Sequence, residues 1–199
     1  MGIVDTFMHI RESGMPEECE WSKFFDPLKI LKAMGLNNKI KDVADFGCGY
    51  GTFSIPAAKL VSGKVYAIDI DPKMIAVVKD KTQNNAVNNI KTIVHDLLGK
   101  GSGLKNESVD YVLLFNVLHT QYPGKLLDEA FRILRTNGRA VIINWNRNAT
   151  TPRGPPMKIR PTLEQCIKWC IKSGFESNSV KVYDFKPYHY GLVIRKHEV

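Results

Sequence analysis

The sequence predicts an α/β domain: a doubly wound, mostly parallel seven-stranded sheet that ends in a C-terminal antiparallel hairpin. Three observations predict it. Short apolar runs alternate with longer segments of helical period. The strongest runs are apolar almost throughout rather than at alternate positions, as in strands covered on both faces, and such strands need helical crossovers. A glycine-rich turn, Gly47-Cys48-Gly49-Tyr50-Gly51, leads from the first run into the first of those helices.

In chain order, residues 43–46, 64–70, 91–95, 109–116 and 139–145 read as five buried strands. A helix follows the glycine turn to about residue 60. Asp71-Pro72 reads as an N-cap with proline at the first helical position, and Met74, Val77 and Val78 then supply the apolar stripe. Over residues 125–135, Leu127, Ala130, Phe131 and Leu134 share one face, and Asn137-Gly138 signals the stop. Thr162 and Gln165 fit a capping box ahead of Leu163, Cys166, Ile167, Cys170 and Ile171 at helical spacing. Residues 180–185 and 190–196 flank Lys186-Pro187-Tyr188-His189 as a hairpin. Residues 1–40 read as an N-terminal helical extension, best over 21–34, and residues 41–199 as the binding core of the same single domain.

A chain of 199 residues, 44% apolar and 24% charged, suits one soluble domain. No run approaches the roughly 20 apolar residues of a membrane span, and the N-terminus lacks a secretory pattern. Met1-Gly2-Ile3-Val4-Asp5-Thr6 satisfies a loose myristoylation pattern without a second anchor, so no membrane partner is expected. Cys19, Cys48, Cys166 and Cys170 form no CxxC pair and no zinc-type spacing. They imply no metal and a reducing, cytoplasmic setting. The net charge of +8 suits either an anionic partner or plain solubility.

The glycine turn carries the function. Its glycines let a ligand approach the backbone, and the following helix offers free N–H groups. Asp69 ends the next strand, where a carboxylate can accept hydrogen bonds from a ribose diol. The dinucleotide fingerprint is G-x-G-x-x-G, but this chain reads G-x-G-x-G with Thr52 at the last fingerprint position. Asp45, just before the turn, would repel a pyrophosphate and attract a cationic ligand.

The segments VADFGCGYGTF, VYAIDIDPKMI, IVHDLL, VDYVLLFNVLH and LLDEAFRILRTNGRAVIINW occur in that order. They resemble the motifs of class I S-adenosylmethionine-dependent methyltransferases, in the small-molecule branch, over roughly residues 40–145. The resemblance implies the Rossmann-like methyltransferase fold, S-adenosyl-L-methionine as cofactor and S-adenosyl-L-homocysteine as product. By position it implies that Asp45, Gly47, Cys48 and Gly49 line the methionine portion. Asp69 would hold the ribose hydroxyls and Ile70 would lie against the adenine. Asp96, with Leu97 beside it, would bond the adenine amino group, and Asn116 would face the methionine end. Tyr50 departs from the small Thr or Ser usual in the family.

Other candidates carry two readings each. His119 could be a general base or a packing residue. Trp21, with Phe24 and Phe25, could wall the substrate pocket or pack as an ordinary helix. Between Glu129 and Glu164 stand seven basic residues and no acidic one. Four of the seven, Arg147, Arg153, Lys158 and Arg160, lie in a proline-rich loop over residues 146–161 that leaves the fifth strand. Arg153 and Arg160 are candidates to bind an anionic group on a small-molecule substrate, against a solvated loop. Cys166 and Cys170 read as core. The rivals are a nucleic-acid methyltransferase, suggested by charge but lacking an Asn/Asp-Pro-Pro-aromatic motif after the fourth strand, a non-catalytic S-adenosylmethionine-binding module, and a nicotinamide oxidoreductase.

Overall fold

The computed structural model describes Glu18, residues 26–151 and residues 154–197. Seven strands form one sheet in the order β3-β2-β1-β4-β5-β7-β6. The strands are β1 (Val43–Phe46), β2 (Val65–Asp69), β3 (Ile90–Val94), β4 (Val109–Phe115), β5 (Leu134–Trp145), β6 (Lys181–Phe185) and β7 (His189–Arg195). The helices are α1 (Pro27–Ala33), α2 (Ser54–Leu60), α3 (Pro72–Asn84), α4 (Leu97–Lys100), α5 (Pro123–Ile133) and α6 (Leu163–Lys172). The first five strands pair in parallel, and β7 joins β5 and β6 antiparallel. Chain order reverses between β1 and β4, which opens a crevice at their carboxyl ends.

Successive strand residues point to opposite faces, and both faces are covered. Ala44, Phe46, Leu114 and Ile142 pack with Leu127 and Ala130 of α5 and with Cys166 and Cys170 of α6. Val43, Val65, Leu113 and Ile143 pack on the other side with Ile30 and Leu31 of α1 and Ala57 and Ala58 of α2. This two-sided burial explains the continuous apolar runs, since each buried Val, Leu or Ile contributes about 1.5–3 kcal/mol. Cys166 and Cys170 are core residues, and burial pushes both thiols up, Cys166 to about 12. α1 seats its apolar residues in the same core as the strands, so the region before residue 40 contributes directly to the domain's packing.

Local chemistry fixes the ends. The side chains of Asp26 and Asp71 accept from backbone N–H groups at the starts of α1 and α3, each followed by proline. Thr162 and Gln165 close the capping box of α6. Asn137-Gly138 does not terminate α5. That helix ends at Ile133 and runs straight into β5, where Val109 pairs with Leu134 but Tyr111 pairs with Arg139. Asn137, at φ +63°, sits inside this irregularity. Among the described residues no helix is long and apolar enough to cross a membrane.

Candidate cofactor site

The glycine turn hangs from the sheet. Gly47 and Cys48 both donate their N–H to the Ile68 carbonyl, at 2.8 and 3.0 Å. Gly47 adopts φ +70°, and a Cβ there would lie 2.7 Å from Val117 Cγ1, so the turn closes tightly against the chain leaving β4. Cys48 is buried filler whose thiol burial pushes far up, which makes it no nucleophile.

Two carboxylates flank the turn. Asp69 Oδ2 accepts from Gly49 N and Oδ1 from Asp71 N, each at 2.9 Å. One lone pair per oxygen then remains for a diol. Burial pushes this carboxyl up, against the two backbone donors. Asp45 is 3% exposed and accepts the Ser54 hydroxyl at 2.5 Å. Burial pushes Asp45 up to about 7; the Ser54 hydrogen bond opposes this and the charge of Asp69 adds to it. A cation placed beside these two carboxylates would draw both back to the ionised form.

Asn116 follows β4 at φ +55°, in the left-handed region that asparagine adopts more readily than most non-glycine residues, and donates its backbone N–H to the Ile143 carbonyl at 2.7 Å. Its side-chain Oδ1 and Nδ2 are both buried and have no partner among the described residues. A buried carboxamide left without partners costs about 1–3 kcal/mol per group unless a ligand supplies them. Asp96 caps α4: Oδ1 accepts from Leu98 N and Gly99 N at 3.1 and 3.0 Å, leaving Oδ2. Ile70, just after β2, and Leu97, the first residue of α4, are half-buried. Lys81 donates to the Tyr50 carbonyl at 3.0 Å and pairs with Glu18, linking that residue to the turn.

Gly47, Cys48, Gly49, Asp45, Asp69 and Asn116 therefore converge on the carboxyl edge of β1, β2 and β4, with Asp96 on neighbouring β3. A glycine cradle, one buried and one half-buried carboxylate and an orphaned carboxamide fit a compact ligand with a ribose and a cationic end. A family model described as a methyltransferase domain matches residues 44–142. An S-adenosylmethionine-dependent methyltransferase from Aquifex aeolicus superposes with a TM-score of 0.77 at 26% identity, covering 86% of this chain and 90% of that one. The chain belongs to the class I S-adenosylmethionine-dependent methyltransferases.

S-adenosylmethionine is the cofactor of that family, and the residues gathered at this edge fit it. Phosphoethanolamine N-methyltransferase 2 from Haemonchus contortus shares the fold, with a TM-score of 0.71 at 17% identity over 86% of this chain and 52% of that one. The ribosomal protein L11 methyltransferase of Aliivibrio fischeri is 49% identical over 53 residues, 27% of this chain and 18% of that protein. The chain thus spans about a fifth of the curated relatives it matches.

The methyltransferase's basic stretch takes a different role from the expected one. Arg160 is 4% exposed, and its guanidinium is not available to an anion. It donates to the carbonyls of Pro155, Asn146 and Ala149 and to the Thr151 hydroxyl, and lies over the Trp145 ring. Arg160 organises the proline-rich loop because buried carbonyls there need donors that the prolines lack. Arg147 does the same with the Met157 and Lys158 carbonyls. Arg132 pairs with Glu129, Arg135 with Asp42 and Asp110, and Arg139 with the Tyr111 hydroxyl. Trp21 and Arg153 lie outside the described residues. His119 sits in the loop between β4 and α5. Sequence reasoning missed Ser54, whose hydroxyl early in α2 is the partner Asp45 needs. It also missed Thr120 and Asn144, whose Oγ1 and Oδ1 are buried without partners among the described residues; neither carries a motif.

Proposed function

We propose that the chain transfers a methyl group from S-adenosylmethionine to a small-molecule acceptor. The observation that carries this reading is Asn116, a buried carboxamide without a partner among the described residues, beside the glycine turn. Asp45, Gly47, Cys48 and Gly49 line the methionine portion, with Asp45 and the Asn116 carboxamide available to its ammonium and carboxylate. Asp69 takes the ribose hydroxyls, Ile70 lies against the adenine, and Asp96 Oδ2 takes the adenine amino group with Leu97 beside it. When bound, the cofactor supplies a sulfonium methyl with a neutral leaving group. The chain's task is to align an acceptor with that methyl and exclude water. His119, next to the site in sequence, serves as base only for an acceptor that arrives protonated.

Pairing of five arginines of the basic stretch within the fold speaks against a nucleic-acid acceptor. The test is calorimetric titration with S-adenosylhomocysteine beside NADH, repeated with Asp69→Ala, then detection of S-adenosylhomocysteine formed from S-adenosylmethionine with small acceptors. Micromolar binding of S-adenosylhomocysteine alone, weakened at least tenfold by the substitution, supports the cofactor assignment. Binding without turnover favours a non-catalytic module, and binding of NADH instead would overturn the reading.

A further inference from the structure

One step of strand register beyond the cofactor edge lies a second orphaned amide. Asn144 is the penultimate residue of β5, 1% exposed, paired across the ladder with Tyr190. The backbone N–H of Asn116 donates to the Ile143 carbonyl, so the backbone of Asn144 follows directly after Asn116's partner on the neighbouring strand, while its side chain turns to Cys166 of α6.

The polarity of the Asn144 amide is set by a chain of hydrogen bonds that starts at a carbonyl. The Pro161 carbonyl can only accept, so the Tyr190 hydroxyl donates to it at 2.9 Å. The Tyr190 oxygen then accepts from the Cys166 thiol, at 3.1 Å. With its proton directed there, the Cys166 sulfur accepts from Asn144 Nδ2 at 3.4 Å. With Nδ2 turned to the sulfur, Asn144 Oδ1 is left outside this relay. Oδ1 is buried and has no partner among the described residues. It is an acceptor only, and leaving it unmet costs about 1–3 kcal/mol. Thr120 Oγ1, in the loop that leaves β4 at the same edge, is likewise buried and without a partner among the described residues. Neither group has a place among the cofactor contacts assigned above.

We propose that Asn144 is a specificity-determining residue, its Oδ1 accepting a hydrogen bond from the methyl acceptor, so that the acceptor class is an amine or a hydroxyl compound carrying an N–H or O–H. The Cys166–Tyr190–Pro161 relay holds Oδ1 in its accepting orientation, and Thr120 Oγ1 supplies a second contact. The assignment rests on the methyl-transfer reading and deepens it. A site built to meet a donor rejects an analogue lacking it far more strongly than an apolar pocket rejects an extra methylene.

The test begins with a crystal structure of the S-adenosylhomocysteine complex at a resolution that shows water. Asn144 Oδ1 is expected to face the cavity beside the cofactor sulfur and hold a water. Oδ1 sealed from that cavity, or met by a protein donor, overturns the assignment alone; failure to form the complex removes the methyl-transfer reading itself. Asn144→Leu and Asn144→Asp are then compared on a panel of primary amines, phenols, thiols and tertiary amines. Asn144→Leu is expected to raise acceptor KM at least tenfold with S-adenosylhomocysteine affinity within twofold of wild type. Its Tm should be unchanged or higher, because the substitution removes an unmet acceptor. Asn144→Asp, which keeps an accepting oxygen, should recover part of the KM. Turnover confined to thiols or tertiary amines, or an Asn144→Leu protein whose acceptor KM is unchanged, overturns the proposal.

Discussion

Ser54 donates its hydroxyl proton to Asp45 Oδ2 at 2.5 Å, with both residues buried. The contact joins the end of β1 to the first residue of α2, across the glycine turn. One hydroxyl does not compensate the burial of a carboxylate, so Asp45 stays pushed up to about 7.

That displacement predicts a pH dependence in both folding and binding. In the unfolded chain the Asp45 carboxyl ionises near its ordinary value of about 4. Between there and pH 7 the native state holds a proton that the unfolded state has lost, so stability contributed by Asp45 falls as pH rises through that window. The ligand-free protein should lose on the order of a few kcal/mol across it. Asp45→Asn should flatten the decline and raise Tm at pH 8. The ammonium of S-adenosylhomocysteine prefers the ionised carboxylate, so its affinity should rise from pH 6 to 8 with proton release. Calorimetry in two buffers of different ionisation enthalpy reads that proton. No proton release would show that the carboxylate is already ionised.

Gly47 predicts a steric test. At φ +70° any other residue adds about 1–2 kcal/mol of backbone strain. A new Cβ would also press on Val117 Cγ1. Gly47→Ala should lower stability by about 2 kcal/mol in urea unfolding and weaken S-adenosylhomocysteine binding more than tenfold. Val117→Ala in the same chain should recover part of the stability but not the strain. Full recovery would mean that φ at Gly47 is not a constraint.

The glycine turn and Asp69 are legible in the sequence because both obey chain-local rules: a turn needing positive φ, and a polar residue ending an apolar strand. The caps at Asp71 and Thr162 are legible for the same reason. Ser54 and Asn144 are not, because their significance lies in partners from other elements. Asn144 looks like an ordinary polar strand end until the β4–β5–β7 register sets it beside Asn116 and Tyr190. Arg160 misleads for a related reason. Counting side-chain charge sees no acid between Glu129 and Glu164. It does not see the backbone carbonyls of Asn146, Ala149 and Pro155 that occupy the guanidinium.

Arg160 consequently predicts a stability phenotype rather than a simple loss of anion binding. Hydrogen bonds to a charged group contribute about 1.5–3 kcal/mol each, with strong overlap within one guanidinium. Arg160→Met should destabilise the protein by on the order of 3 kcal/mol and expose residues 146–159 to limited proteolysis. Arg160→Lys should rescue little, since an ammonium cannot reproduce the planar fork. A variant with wild-type Tm and protease resistance but a raised KM for an anionic acceptor would return Arg160 to substrate binding.

The same pairing bears on nucleic acid. The net charge is +8, yet Arg132, Arg135, Arg139, Arg147 and Arg160 all direct donors to partners inside the fold. Phosphate contacts need guanidinium and ammonium groups that can leave their present partners, and disrupting such a pair offsets much of what counterion release would gain. Fluorescence anisotropy with single-stranded and hairpin RNA at physiological salt should therefore give dissociation constants no tighter than the non-specific range of about 10⁻⁴–10⁻⁶ M. S-adenosylhomocysteine should not change them. A submicromolar constant that tightens with S-adenosylhomocysteine would identify RNA as the acceptor, and Arg135→Gln should then weaken it along with the salt dependence.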